Sequence, residues 1–429
     1  MRSEYHAATF LLPLLLSAVA LPAAGQISAA EPALIPYVLP RVTEGSVDFG
    51  DMDGDGDLDL VVTGLTSPDR ARTRVYALED SAYTIVVGGA AMQLSFKTYR
   101  PTSQVLNDVW QGAARWGDFD GDGDEDVLVM GLTVVEREVG VPLTETVMRL
   151  YRSEAGVITG VPQPFDGLYS GDADWGDFDG DGRLDLAACG ATQLAAPFQA
   201  ETRVYRNLGG GRFEDVAVPT PGVLLCDVAW GDLDGDGRAE LAVAGESLSG
   251  VQTAVLRYDG STFSELDLPL PGLNLPDLDW SPPDAEGRQM LLLTGGVLDP
   301  QLLRGVALLV SHDGSRATVS RPAGVVGVVA GGAAFADWDV DGDPDIILSG
   351  AETVLGTRLG RVLINEGGSF RQEFVLAGLT LGDVAVGDYN ADGDDDLIVL
   401  GINDVGDVLT NFMMNRTFPE FIPPGLIRR

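Results

Sequence analysis

The stretch from Trp175 to Gly190 reads WGDFDGDGRLDLAACG. Asp177, Asp179, Asp181 and Asp185 fall within nine residues, and a short apolar run follows at once. Nearly the same words recur along the chain. Aligned on the first acidic position, the copies begin at Asp51, Asp118, Asp177, Asp232, Pro282, Asp337 and Asp388, spaced 50 to 67 residues apart. That period is too long for β-helix or leucine-rich turns and suits four short strands with their connections.

The strands are legible within each copy. An aromatic stands two residues before most of the loops, at Phe49, Trp116, Trp175, Trp230, Trp280 and Phe335, with Val386 in the last copy. The acidic loop comes next, then a near-continuous apolar run closed by glycine, as in 60–64, 127–131, 241–245 and 346–350. Unbroken apolar runs of this length fit strands covered on both faces. A third strand follows in 202–207 or 361–365, and a glycine-rich turn such as Gly209-Gly210-Gly211 leads to a fourth near Phe213, Phe263 and Phe370. Four antiparallel strands make a blade, and seven blades closed in a ring leave no long sheet edge exposed. The expectation is an all-β chain, a seven-bladed β-propeller of four-stranded antiparallel blades. The repeats run from about Val47 to about Phe421. Ring closure has two solutions: either 35–42 adds a strand to the last blade, or 418–422 completes it.

The loop pattern is D-x-D-x-D-G-x-x-D. Carboxylates at alternate positions, with a glycine at the reversal, wrap oxygens around one point. Calcium accepts six to eight such oxygens in irregular geometry, whereas magnesium demands a tight octahedron. Taking positions 1, 3, 5, 7 and 9 in turn, the candidate ligands are Asp51, Asp53, Asp55, Asp57 and Asp59 in the first blade, and Asp118, Asp120, Asp122, Asp124 and Asp126 in the second. The third offers Asp177, Asp179, Asp181, Arg183 and Asp185, and the fourth Asp232, Asp234, Asp236, Arg238 and Glu240. The sixth offers Asp337, Asp339, Asp341, Asp343 and Asp345, and the seventh Asp388, Asn390, Asp392, Asp394 and Asp396. Position 7 holds Asp in some copies and Arg in others, so its side chain is irrelevant and its backbone carbonyl is the ligand. Blade 5 reads Pro282, Asp284, Glu286, Gly287 and Met290; it lacks ligands at positions 1 and 9 and is expected to hold no metal. An EF-hand is excluded, because it needs a glutamate at position 12. Val62, Val129, Ala188, Val243, Leu348 and Val399 stand there instead. Without a cation, four carboxylates within about 5 Å repel by about 3 kcal/mol per pair at an effective dielectric of 20.

The repeated run W-G-D-F-D-G-D-G-x-x-D-L-x-x-x-G resembles the FG-GAP or VCBS repeats of integrin α-subunit propellers and of many secreted bacterial proteins. The resemblance implies Ca²⁺ between the first and second strands of a blade, here at about six structural sites, with blade 5 departing from the pattern. It also implies that ligands are bound on the opposite face, where the loops joining second to third strands lie. The partner subunit and legs of an integrin have no counterpart here.

Composition narrows the function further. A net charge of −38 argues against nucleic acid, whose binders displace phosphate counterions with Lys and Arg. It argues equally against anionic membrane surfaces. Roughly thirty of the 65 acidic residues sit in the repeated loops, so the charge is chiefly a ligand property. Residues 1–24 read as a secretory signal, with Arg2 before the apolar run 10–21 and small residues at Pro22-Ala23-Ala24. Interrupted by Pro13, that run is too short to span about 30 Å of hydrocarbon. Residues 25–36 read as a flexible lead-in and 37–429 as a single propeller. The expectation is a secreted, extracellular, periplasmic or surface protein, monomeric and without membrane insertion. Cys189 and Cys226 occupy related places in neighbouring repeats; export permits a disulfide, and two small buried thiols are the alternative. Asn415-Arg416-Thr417 is a formal glycosylation sequon.

Catalysis has few candidates. After residue 24 the single histidine is His312, in the hairpin Ser311-His312-Asp313-Gly314, and adjacent residues do not converge as a triad does. No nucleophile elbow, zinc motif or dinucleotide fingerprint is present. The reading is a non-enzymatic adhesion or protein-interaction module. A lectin is the alternative, and a polysaccharide lyase or lipase-like enzyme stands behind it. The irregular segments 67–73, 133–144, 191–200 and 88–111 are the expected ligand face. Trp110, Tyr99, Arg100, Arg70, Arg72, Arg137 and Phe198 are its candidate contact residues, while Trp116, Trp175, Trp230 and Trp280 read as core between blades.

Overall fold

The computed structural model describes residues 33–34, 39–68, 70–87, 90–136, 142–163, 165–195, 198–299 and 301–415. The signal segment 1–24, the segment 418–422 and Arg137 lie outside the described residues. Seven four-stranded antiparallel sheets form the chain, each in simple up-and-down order. The first strands are Val47–Gly50, Ala114–Gly117, Ala173–Gly176, Leu224–Gly231, Asn274–Trp280, Val329–Ala336 and Val384–Gly387. Each pairs with the apolar strand that follows its loop, for example Trp175 opposite Leu186 and Gly176 opposite Asp185. Every residue of the second strands Asp185–Ala191 and Asp345–Ala351 is buried, as strands packed on both faces must be. The fold is a seven-bladed β-propeller. Among the described residues no helix is long and apolar enough to cross a membrane.

Closure follows the first of the two expected routes, with a shift. Ala33–Leu34 pairs antiparallel with Val408–Met414 and supplies the fourth strand of blade 7. The blade therefore begins inside the segment 25–36 that reads as a lead-in. Blades 7 and 1 then share a core in which Tyr99, Tyr389 and Phe412 pack ring against ring at 4.7 to 6.0 Å.

A second correction concerns 88–111. Ala90–Pro101 is not a connection but the fourth strand of blade 1, paired with Arg70–Val87 from Tyr76↔Pro101 to Val87↔Ala90. Tyr99 consequently leaves the expected ligand face. It is buried, and its hydroxyl donates to the Leu58 carbonyl at 2.9 Å. Arg100 pairs with Glu79 at 2.9 Å on the same hairpin.

Neighbouring blades lock through the W-G dipeptide. The tryptophan of one blade lies over the glycine of the blade before it, so a Cβ on Gly117 would meet Trp175 Cδ1 at 2.6 Å. Trp116, Trp175, Trp230 and Trp280 are all buried, as core between blades. Cys189 and Cys226 form a disulfide across blades 3 and 4, with Cα atoms 6.3 Å apart.

Candidate metal centres and the central channel

The loop wiring follows from its sequence. In blade 2, Asp118 at position 1 accepts N–H from Gly121 at 2.7 Å, Asp122 at 3.1 Å and Gly123 at 3.0 Å, which folds the loop around its carboxylate. Asp122 at position 5 accepts the N–H of Asp124 at 3.1 Å. Asp126 at position 9 is buried and holds the loop to two strands, accepting N–H from Phe119 at 3.1 Å and from Ser153 at 2.8 Å. The bonds from the fourth and fifth following residues recur around Asp51, Asp177, Asp232, Asp337 and Asp388, and the bond from the third recurs around Asp177 and Asp232.

Five blades draw three carboxylates to within 4.8 Å of one another. The sets are Asp51, Asp53 and Asp59; Asp118, Asp120 and Asp122; Asp177, Asp179 and Asp185; Asp232, Asp234 and Glu240; and Asp337, Asp339 and Asp345. These clusters have the donors to hold a metal ion. In blade 7 the place of the third carboxylate is taken by Asn390, whose amide donates to Asp396 at 3.2 Å.

Two observations test the fit of a hard cation. Asp120 Oδ1, Asp179 Oδ1 and Asp234 Oδ1 are buried without a hydrogen-bond partner, an expense a fold bears only where something else satisfies the oxygen. Burial also pushes the position-9 carboxyls up, to about 7 for Asp59, Asp126, Asp185 and Glu240, about 6 for Asp345 and about 8 for Asp396. Backbone N–H bonds pull them part of the way back. A cation among them would favour their charged form.

Blade 5 solves the same electrostatic problem differently. Arg288 folds into the loop and bonds Asp284 through Nε at 2.9 Å and Nη2 at 2.8 Å, and Glu286 through Nη2 at 2.8 Å. A tethered guanidinium stands where the other loops gather acidic oxygens.

The central channel was not anticipated. Its wall carries Asp48, Asp174, Asp227, Asp277, Asp279 and Asp383 around a cavity of about 580 Å³, with one cation, Arg115. Arg115 pairs with Asp172 at 2.6 Å and Asp383 at 3.5 Å. The carboxylates also tie blades together. Asp48 accepts the Trp116 N–H at 2.8 Å, Asp174 that of Trp230 at 2.7 Å, Asp227 that of Leu278 at 2.6 Å and Asp277 that of Ala333 at 2.6 Å. Burial raises Asp48 to about 6 and Asp174 and Asp279 to about 7, with Arg115 holding each lower than it would otherwise stand. The signal was present in the sequence as D-x-D ahead of the aromatic, at Asp172-Ala173-Asp174 and Asp277-Leu278-Asp279.

The remaining candidates scatter. Arg70 and Phe198 are exposed, Arg72 pairs with Asp108 at 2.6 Å, and Trp110 is half-buried beside Leu132 and Tyr169. His312 ends a strand, and its Nδ1 accepts the Gly314 N–H at 3.2 Å. Asn415 of the formal sequon is buried, its amide donating to the Trp338 carbonyl at 2.6 Å.

Residues 177–243, spanning the loops of blades 3 and 4, match the family model of the FG-GAP-like repeat. That match marks this part of the seven-bladed propeller as FG-GAP-like repeat. No curated protein matches the chain. Among solved structures it is similar to AofleA from Arthrobotrys oligospora, at 10% identity and a TM-score of 0.40 over 81% of this chain and 89% of that one. It is also similar to the V. cholerae biofilm matrix protein Bap1, at 14% identity and 0.29 over 87% and 77%. The intramolecular trans-sialidase from Ruminococcus gnavus stands at 12% and 0.38 over 86% and 94%. Likenesses at these scores carry no argument about activity or ligand.

Proposed function

We propose that this chain is an exported, calcium-stabilised binding module without catalytic activity, whose partner docks on the face opposite the acidic loops. The observation that carries the calcium reading is the set of buried, unpartnered oxygens on Asp120, Asp179 and Asp234 inside acidic clusters. Six loops supply the ligands named above, with the backbone carbonyls of Asp57, Asp124, Arg183, Arg238, Asp343 and Asp394 completing them. The disulfide agrees with a location outside the cytoplasm.

The hairpins joining second to third strands favour a protein partner. Their tips expose Leu248 at 89%, Leu355 at 87%, Val405 at 79% and Leu298 at 66%. Phe198 is the one aromatic among the exposed large hydrophobics of the described residues. A lectin with a pocket in each blade calls for a repeated exposed aromatic platform, so aliphatic tips fit a protein surface better. A glycan array probed with the full chain in millimolar calcium tests the choice. Background signal throughout is expected, and strong saccharide binding would overturn the protein reading in favour of the lectin.

A further inference from the structure

The six acidic loops are alike in sequence but not in the charge beside them. The residue that follows the pairing Val127↔Tyr151, Leu186↔Tyr205 or Leu241↔Leu256 is Arg152, Arg206 or Arg257 in blades 2, 3 and 4. At the same register blades 1, 6 and 7 have Ala77, Ile364 and Met414. Each arginine reaches the position-3 carboxylate of its own blade. Arg152 pairs with Asp120, Arg206 Nε lies 2.8 Å from Asp179 Oδ2, and Arg257 Nη2 lies 2.7 Å from Asp234 Oδ2. Arg257 also donates to Glu240 at 2.7 Å.

The guanidinium takes Oδ2 in all three blades and leaves Oδ1 buried without a partner. The contact of Arg206 is an ion pair more than a hydrogen bond, because its Nε–H is not aligned on the carboxylate. Its orientation is fixed elsewhere, by a 2.7 Å bond to the Tyr258 hydroxyl and by stacking over Phe178 and Tyr258 at 5.2 and 5.4 Å. A metal entering such a loop meets a ligand that already carries a positive neighbour, and in blade 3 that neighbour is held in place.

Resting on the calcium reading above, we infer that Arg152, Arg206 and Arg257 make the sites of blades 2, 3 and 4 weaker than that of blade 6, where Ile364 stands at the arginine's register beside Asp337, Asp339 and Asp345. The loop of blade 6 fills at lower calcium than those three. Blade 1 has Ala77 in place of the arginine but sets Lys97 against Asp57, and blade 7 has Asn390 at position 3. Blade 5 is the limit of the series, with Arg288 inside the loop itself.

The test is a calorimetric calcium titration of the full chain, with Arg206→Met and Arg206→Gln as variants and circular dichroism as the check on folding. A class of three weak sites is expected, about tenfold or more below the tightest site for a unit charge a few ångströms away. Either variant that folds takes one site out of the weak class and leaves two. Six sites of one affinity, or a folded Arg206 variant with an unchanged titration, would overturn the inference while leaving the calcium reading intact. Absence of any calcium binding would sink both.

Discussion

Replacing Arg115 by Met puts the channel to a quantitative test. The side chain is the channel's cation, 2.6 Å from Asp172 and 3.5 Å from Asp383, and the three side chains retain only 15–20% exposure. Breaking a buried ion pair from one side costs about 3–5 kcal/mol, and some access to channel water sets the expectation at the lower end, about 3 kcal/mol. The cost should depend on pH. Asp48 stands at about 6 and Asp174 and Asp279 at about 7, all above the ordinary 3.8. These carboxyls bind protons more tightly folded than unfolded, so their contribution to stability is full below pH 4 and is lost as pH rises through 6 to 7. Arg115 limits that loss, because it lowers all three. Its removal therefore hurts most at pH 8 and much less at pH 5, where the carboxyls are protonated. Urea midpoints of both proteins at pH 8 and pH 5, in saturating calcium, measure the difference. An unchanged midpoint at pH 8, or equal destabilisation at the two pH values, would refute the reasoning.

Three further outcomes follow from the packing and the loops. Removing the disulfide with Cys189→Ser and Cys226→Ser together should cost about 4 kcal/mol on the chain-entropy scale for a separation of 37 residues, read as a lower urea midpoint that added reductant does not lower further. Gly117→Ala should destabilise by about 1–3 kcal/mol, since its Cβ would press on Trp175 Cδ1 at 2.6 Å; a thermal melt equal to wild type would contradict the lock between blades. Asp179→Ala should lose one bound calcium by atomic absorption, whereas Asp284→Ala should lose none, because Arg288 already occupies that loop.

Much of the fold was legible because repetition multiplies weak signals. One D-x-D-x-D-G loop is a turn, but seven copies ahead of an apolar strand define a blade and its number. Strand starts at Phe213, Phe263 and Phe370 were readable for the same reason. Sequence reading failed where the repeat is interrupted. The paired strands Arg70–Val87 and Ala90–Pro101 of blade 1 are far longer than their counterparts, so the second of them reads as a connection and Tyr99 as a surface residue. Ala33–Leu34 carries no repeat signature, because its pairing partner lies at the other end of the propeller. The channel carboxylates were overlooked for a different reason. Their D-x-D spacing merges with the acidic loop a few residues later, and only the ring geometry separates the two sets.

The account stands or falls on calcium. Metal stoichiometry of the dialysed full chain, measured alongside thermal melts in chelator and in millimolar calcium, tests it most directly. It predicts about six ions per chain, one for each loop but that of blade 5. Each site at extracellular affinity adds about 1 kcal/mol, so together they should raise the melting temperature clearly. Superimposable melts with no bound calcium would contradict it.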